Sequence, residues 1–265
     1  MRTYAKRMPF AQLRFAVAVT LACMVTASQA APEHAAVGPA GTATVAGLGL
    51  ASSPVPLAAR FSVAVTMPPA AGKEVRAARR SDWYFYRNDR RVSLVKGAIE
   101  ETWHRDSRGS LSFERVFHED RRSVEYSAGE LATLNVQADW AALSTFVDPA
   151  ELLSLTPVSR SGRGAEERIR LRGRSGKDSV TIDWLPAWQL PAHIVRRGAA
   201  GRVTRIDLVA HAALAPAAWP VPGRDAADYL RMDAADFGDM DYEPVVRKSE
   251  ALDIRGGWRT AHRHD

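Results

Sequence analysis

The chain has 265 residues, with 36 Lys+Arg against 30 Asp+Glu and a formal net charge of +6. Four of those basic residues lie in an N-terminal segment that we predict to be removed, which leaves a net charge of +2 and no argument for a nucleic-acid partner. The single cysteine, Cys23, excludes an internal disulfide and a thiolate metal cluster.

The first thirty residues have the pattern of a bacterial secretory signal. Basic residues between positions 2 and 14 precede an apolar run over residues 15–25, and Ser28 and Ala30 occupy the −3 and −1 positions of a small-x-small cleavage site. The run is about half as long as a membrane-spanning helix needs to be. We therefore predict export to the periplasm with loss of residues 1–30.

Cys23 also permits a second interpretation, a lipid anchor. Residues 20–23 resemble a lipobox, although Thr20 stands where that motif prefers leucine. Residues 31–79, which follow, are rich in Ala, Gly and Pro and poor in large side chains, so we predict a disordered, flexible linker. Within it, the alternation at 61–65 indicates at most a short first strand or an N-terminal edge strand.

Five short strands are predicted next, because strand-favouring residues alternate between tight polar turns. They cover residues 83–87, 91–96, 99–105, 111–118 and 123–126. Such spacing favours an antiparallel meander over a parallel sheet with crossover helices.

The periodicity then becomes helical, over residues 127–156. Ser127 and Glu130 form a capping box, Asp139 can cap a second short helix, and Asp148 precedes a proline at the start of a third. Residues 159–165 are rich in Ser, Gly and Arg, and we predict a loop there.

Strands resume after this loop, and the chain ends in a different kind of segment. Further strands are predicted at residues 167–173, 180–185, 193–196 and 203–211. Residues 229–265 are acidic and aromatic, and we predict little regular structure there beyond one or two helical turns.

Three of these segments together resemble the lipoprotein-carrier superfamily, the LolA/LolB-like fold. Val180–Pro186 is a strand, Leu190–Ile194 contains a Leu-Pro step into a second apolar strand, and Val203–Leu208 alternates. The resemblance covers about residues 83–211 and does not include residues 229–258. It implies an unclosed barrel whose concave face holds acyl chains under helical segments.

The predicted fold class is α+β. Residues 80–228 are expected to form one domain, a curved antiparallel sheet shaped as an open half-barrel, and residues 229–265 a C-terminal extension. A helical insert is expected to cover the concave face of the sheet, because one face of such a sheet must be shielded from water.

We predict a non-enzymatic envelope protein that binds a lipid or lipoprotein acyl chain in this concavity, without cofactor, metal or nucleic acid. The predicted lining residues are Trp83, Phe85, Trp103, Phe113, Phe117, Leu143, Phe146 and Trp184. The alternative is an interaction or sensor module with a solid core, which docks a membrane-protein partner through the C-terminal extension.

Catalytic and metal-binding patterns are weak in this sequence. There is no G-x-S-x-G, P-loop or G-x-G-x-x-G motif, which makes a hydrolase a minor alternative. His104 and His118 lie on neighbouring predicted strands and can bind a metal with Glu114 or Glu119 only if they meet across the strands. Solvent-facing histidines are the simpler interpretation, and the same holds for the terminal pair at 262 and 264.

Overall fold

The computed structural model describes residues 42–68, 77–198 and 201–259. The predicted signal with Cys23, residues 31–41 and 69–76 of the predicted linker, and the terminal histidine pair lie outside the described residues.

In the described part of the chain, twelve strands form one curved sheet that does not close. They are β1 (Leu57–Thr66), β2 (Arg79–Arg87), β3 (Arg91–Lys96), β4 (Ile99–Arg105), β5 (Leu111–Phe117), β6 (Arg122–Tyr126), β7 (Thr156–Ser161), β8 (Arg168–Ser175), β9 (Asp178–Leu185), β10 (Leu190–Arg197), β11 (Val203–Ala212) and β12 (Leu230–Asp233). Their spatial order is β12-β6-β5-β4-β3-β2-β1-β11-β10-β9-β8-β7. Every pairing is antiparallel except that of β12 with β6.

Strand β1 corrects the predicted linker, because residues 57–66 lie in the middle of the sheet. β1 pairs along nearly its whole length with β2 on one side and with β11 on the other. Its side chains alternate, so that Phe61 and Val63 are buried while Ser62 and Ala64 are only partly covered. The strand is therefore interior, and it joins the strands before the helical segment to those after it.

The sheet has two chemically different faces. Side chains of residues paired directly across neighbouring strands point to the same side of the sheet. The register therefore identifies which residues of all the strands share a face. We call the side with Phe61, Phe85 and Ile182 the inner face and the opposite side the outer face. Two buried apolar clusters lie on the inner face, the first centred on β1, β2 and β8–β11 and the second on β5, β6 and the C-terminal segment.

Three short helices lie between β6 and β7 along the chain: α1 (Ala128–Thr133), α2 (Trp140–Thr145) and α3 (Pro149–Ser154). They are capped as the sequence predicts by Ser127, Asp139 and Asp148. The side chain of each accepts a hydrogen bond from a backbone N–H group. Leu131 of α1 packs in the second cluster and Leu152 of α3 in the first. The edge strand β7 follows α3 directly, so the predicted loop at 159–165 begins as a strand.

A long connection crosses the outer face between β11 and β12. We call residues 213–229 the strap. Trp219 meets Tyr84 edge to face at 5.6 Å, and the N–H of Gly223 donates to the carboxylate of Glu100 at 3.0 Å. The strap therefore covers outer-face residues of β2 and β4, and it leads into β12.

The C-terminal segment is regular, and the prediction of little structure there is wrong. β12 is followed by a 3-10 turn, Ala234–Asp239, and by the helix α4 (Pro244–Gly256), which has 13 residues. Val245 and Val246 of α4 are buried in the second cluster. β12 thus extends the sheet, and the 3-10 turn and α4 pack on the inner face.

Candidate functional site

The eight predicted lining residues lie on the inner face or pack against it, but they fall into two groups. The first cluster includes Trp83, Phe85, Leu143, Phe146 and Trp184, and the second includes Trp103, Phe113 and Phe117. The alternation of the strands explains why the six strand residues share a face, and Leu143 and Phe146 pack on that face from the helical segment. The separation into two groups depends on which helices cover each half.

The aromatic side chains of the first cluster pack on one another. The ring of Phe146 stacks on Phe61 with a centroid distance of 4.5 Å and meets the edge of Phe85 at 5.4 Å. Trp184 is 0% exposed, and its indole N–H donates to the carbonyl of Leu48 at 2.8 Å. This half of the inner face is therefore a packed core in which these rings already have partners.

Arg87 fixes the helical segment to the sheet at the edge of this cluster. Its buried guanidinium donates to the carbonyls of Val55 at 2.9 Å, Ser144 at 2.6 Å and Gln189 at 3.0 Å. Burial lowers the pKa of Arg87 to about 10. One side chain thus bonds to the segment before β1, to helix α2 and to the β9–β10 turn.

A row of charged side chains crosses the inner face between the two clusters. Lys96 Nζ lies 2.6 Å from Glu101, Glu101 lies 3.3 Å from Arg115, and Arg115 lies 2.8 Å from Asp253 of α4. Burial acts to raise the pKa of Glu101, but the positive charges of Lys96 and Arg115 outweigh it and hold that pKa below its usual range. Glu101 is therefore ionised at neutral pH.

The buried end of this row attaches α4 to the sheet. Asp253 is 0% exposed and also accepts from the Tyr126 hydroxyl at 2.9 Å. Ser249 lies one turn earlier on α4, and its hydroxyl is 2.8 Å from both Arg115 and Tyr126. Burial raises the pKa of Tyr126, so the phenol stays protonated and can donate. We call Arg115, Tyr126, Ser249 and Asp253 the α4 anchor.

An open groove of about 520 Å³ lies between α4 and the ends of β4 and β5. Ile99, Phe117 and Leu252 form its apolar part. Its charged lining residues are Arg247, Lys248, Arg255, Glu119 and Asp120, of which Lys248 and Asp120 are paired with each other. Ile99 and Phe117 are direct cross-strand partners on the inner face. We call this the α4 groove. Of the predicted lining residues only Phe117 belongs to it, because the side opposite the sheet comes from a helix that the sequence did not predict.

The two strand histidines do not meet. His104 is paired with Ser112, whereas His118 follows Phe117 at the opposite end of the same hairpin. Burial, and next the charge of Arg91, lower the pKa of His104. Among the described residues no group of three or more His, Cys, Asp or Glu side chains is arranged to hold a metal ion.

None of the helices in the described ranges is both long enough and apolar enough to cross a membrane.

Comparison with known proteins finds only distant likenesses. No protein-family model and no curated protein sequence matches this chain. Two solved structures of PNGF-II, in the C2 and P21 space groups, each match with a TM-score of 0.36 and 8% identity, over 70% of this chain and 33% of theirs. MucB in complex with MucA(peri) matches with a TM-score of 0.27 and 12% identity, over 68% of this chain and 63% of that one. The chain thus spans about a third of the PNGF-II chain, and these scores are too low to assign a family.

Proposed function

We propose that this protein is a non-enzymatic envelope protein that binds an amphiphile with an apolar tail, such as a lipid or a lipoprotein acyl chain. In this proposal the sheet is an open half-barrel, and helices α2 and α3 of the helical insert cover one half of its concave inner face. The ligand's tail lies in the α4 groove on the other half. The resemblance of residues 83–211 to the lipoprotein carriers suggests the same class of ligand.

The observation that carries the proposal is the composition of the α4 groove. A volume of about 520 Å³ is in the range of pockets that hold small organic ligands, roughly 300–1,000 Å³. Its apolar side chains suit a hydrocarbon tail, while Arg247 and Arg255 can pair with an anionic head group. The first cluster offers less room, because the rings of Phe61, Phe85 and Phe146 pack directly on one another.

The proposal is tested by filling the groove. Ala251→Trp places an indole on the groove side of α4, and we expect the affinity for a fluorescent acyl probe to fall by at least about tenfold, or about 1.4 kcal/mol. The matched control is Ala132→Trp on the exposed side of α1, which should leave the affinity unchanged. Solvent extraction and mass spectrometry of the protein purified from its host should also recover a lipid. Failure to recover a lipid, together with no probe binding by the unaltered chain, would rule the proposal out.

The second candidate is an interaction module with a solid core that docks a membrane-protein partner. The packing of the first cluster favours it, and so does Tyr242 before α4, which is 68% exposed. Deleting residues 229–265 is a poor test because β12 and α4 belong to the fold. If the protein is a docking module, Tyr242→Ala should weaken the binding of the membrane-protein partner and leave acyl-probe binding intact. Loss of acyl-probe binding with unchanged partner binding would favour the amphiphile.

A further inference from the structure

The outer face of β8–β11 carries a depression of about 450 Å³ surrounded by arginines. We call it the arginine groove, and it is lined by Arg170, Arg172, Thr181, His193, Val195, Arg197 and Arg205. It lies on the side of the sheet opposite to the α4 groove and shares no residue with it. Neither cluster of the inner face nor the proposed function makes use of it.

The register of the strands fixes the shape of this groove. Arg172 on β8 is paired with Thr181 on β9, Thr181 with Val195 on β10, and Val195 with Arg205 on β11. Neighbouring strands are about 4.8 Å apart, so the two arginines stand roughly 14 Å apart on opposite sides of a floor of smaller side chains. Val195 is only 5% exposed, and it lies beneath the charged rim.

The carboxylates of this surface already have hydrogen-bond partners. Asp183 accepts two bonds from Arg170, at 2.7 and 2.8 Å, and Asp207 is bonded to His193. The hydrogen bond from Arg170 holds the pKa of Asp183 below its usual range, so this carboxylate stays charged and paired. Within the described ranges, the exposed guanidinium groups of the groove that no salt bridge neutralises are those of Arg172, Arg197 and Arg205.

Three unpaired guanidiniums on one rigid surface repel each other, and an anionic partner removes that repulsion. Arginine is the side chain best suited to phosphate, because its planar fork donates two parallel hydrogen bonds. These arginines are spread over β8, β10 and β11 and project from the same side of the sheet. A single small anion can neutralise only part of such an array, whereas a surface of many phosphates can contact all of it at once.

We propose that the arginine groove binds the phosphate groups of anionic phospholipids at a membrane surface. The strap covers outer-face residues of β2 and β4 and leaves the part of that face that carries these arginines exposed. Docking through it leaves the inner face and the α4 groove accessible. The inference does not depend on the proposed function, because it concerns the opposite side of the sheet.

The test uses sedimentation with vesicles and the full chain without its predicted signal. Vesicles of pure phosphatidylcholine are compared with vesicles of equal parts phosphatidylcholine and phosphatidylglycerol. The chain is expected to bind only the anionic vesicles, and less so as salt is raised, because exposed charges are screened. Arg172→Gln with Arg205→Gln should weaken this binding by about 25-fold, roughly fivefold for each basic residue lost near an anionic surface.

The matched control removes the same charge elsewhere. Arg108→Gln with Arg224→Gln changes two exposed arginines outside the groove and should retain nearly full binding. Equal losses in both double variants would overturn the inference, since net charge alone would then explain binding. It would also be overturned if the unaltered chain bound pyrophosphate or polyglutamate but no anionic vesicle. Salt dependence measured on the unaltered chain keeps the test valid if a variant fails to fold.

Discussion

At the scale of single residues, Glu114 is a carboxyl in an unfavourable place. It is half-buried on the outer face of β5 and lies directly opposite Glu125 of β6. Burial, followed by the charges of Glu125 and Glu100, raises the pKa of Glu114. A carboxyl whose pKa is higher in the folded state binds its proton more tightly there. Its ionisation therefore lowers stability as the pH rises above the ordinary carboxyl range, and this penalty is absent at lower pH.

Glu114→Gln removes this charge and should stabilise the protein. We expect the free energy of unfolding at neutral pH to rise by up to about 1 kcal/mol, the scale of a like-charge pair across two strands. The gain should disappear at a pH well below the carboxyl range, where Glu114 is protonated in both states. Urea unfolding at the two pH values measures the difference, with the exposed Glu119→Gln as the control. A gain of the same size at both pH values would mean that the charge is not its source.

At the scale of elements, α4 is held by the α4 anchor as well as by apolar contacts. Asp253→Ala leaves the buried Arg115 without its closest carboxylate, and removing one partner of such a pair costs about 3–5 kcal/mol. We expect a loss of this size in urea unfolding, whereas Asp241→Ala, at an exposed position before α4, should cost little. Replacing both partners, in Arg115→Met with Asp253→Leu, should recover much of the loss. A loss below about 1 kcal/mol for Asp253→Ala would show that α4 does not depend on this contact.

The elements that the sequence predicts are those whose signals are local. Strands β2–β6 follow from alternation between tight turns, and helices α1–α3 follow from caps at Ser127, Asp139 and Asp148. Helix α4 escapes prediction because two positions on its buried face are Ser249 and Asp253, which look like surface residues. Their partner Arg115 is more than 130 residues away along the chain, so only the tertiary structure identifies it.

The candidate site follows the same rule. The six predicted lining residues that lie on strands, Trp83 and Phe85 among them, share a face because strand periodicity alone determines the side to which they point. Whether such a face is filled or open depends on what packs above it, and strand periodicity does not contain that information. The α4 groove joins Ile99 and Phe117 of the hairpin to Leu252 of a remote helix, so it could not be derived from either segment alone.

At the scale of the whole molecule, β1 determines that there is one sheet and not two. It is the strand between β2 and β11, and it therefore connects the two halves of the sheet. Its sequence is rich in alanine and adjoins a Pro- and Gly-rich stretch, which is why composition favours a linker. Ala58 and Ala59 are buried inside the sheet. Because their side chains are small, they add little to the hydrophobic alternation by which a strand is recognised in a sequence.

This position of β1 predicts opposite outcomes for the same substitution at neighbouring residues. Val63 is 3% exposed in the first cluster, so Val63→Asp buries an unpaired carboxylate and should cost more than about 4 kcal/mol. Ala64 faces outward with Arg205 and Arg80 as its cross-strand partners, so Ala64→Asp gains two opposite charges and should be neutral or slightly stabilising. Urea unfolding followed by tryptophan fluorescence measures the free energy of unfolding of both variants. Because β1 joins the halves of the sheet, Val63→Asp should shift the whole unfolding transition and not only part of it. Equal, small effects at the two positions would place β1 outside the sheet, whereas equal large losses would contradict the assigned register.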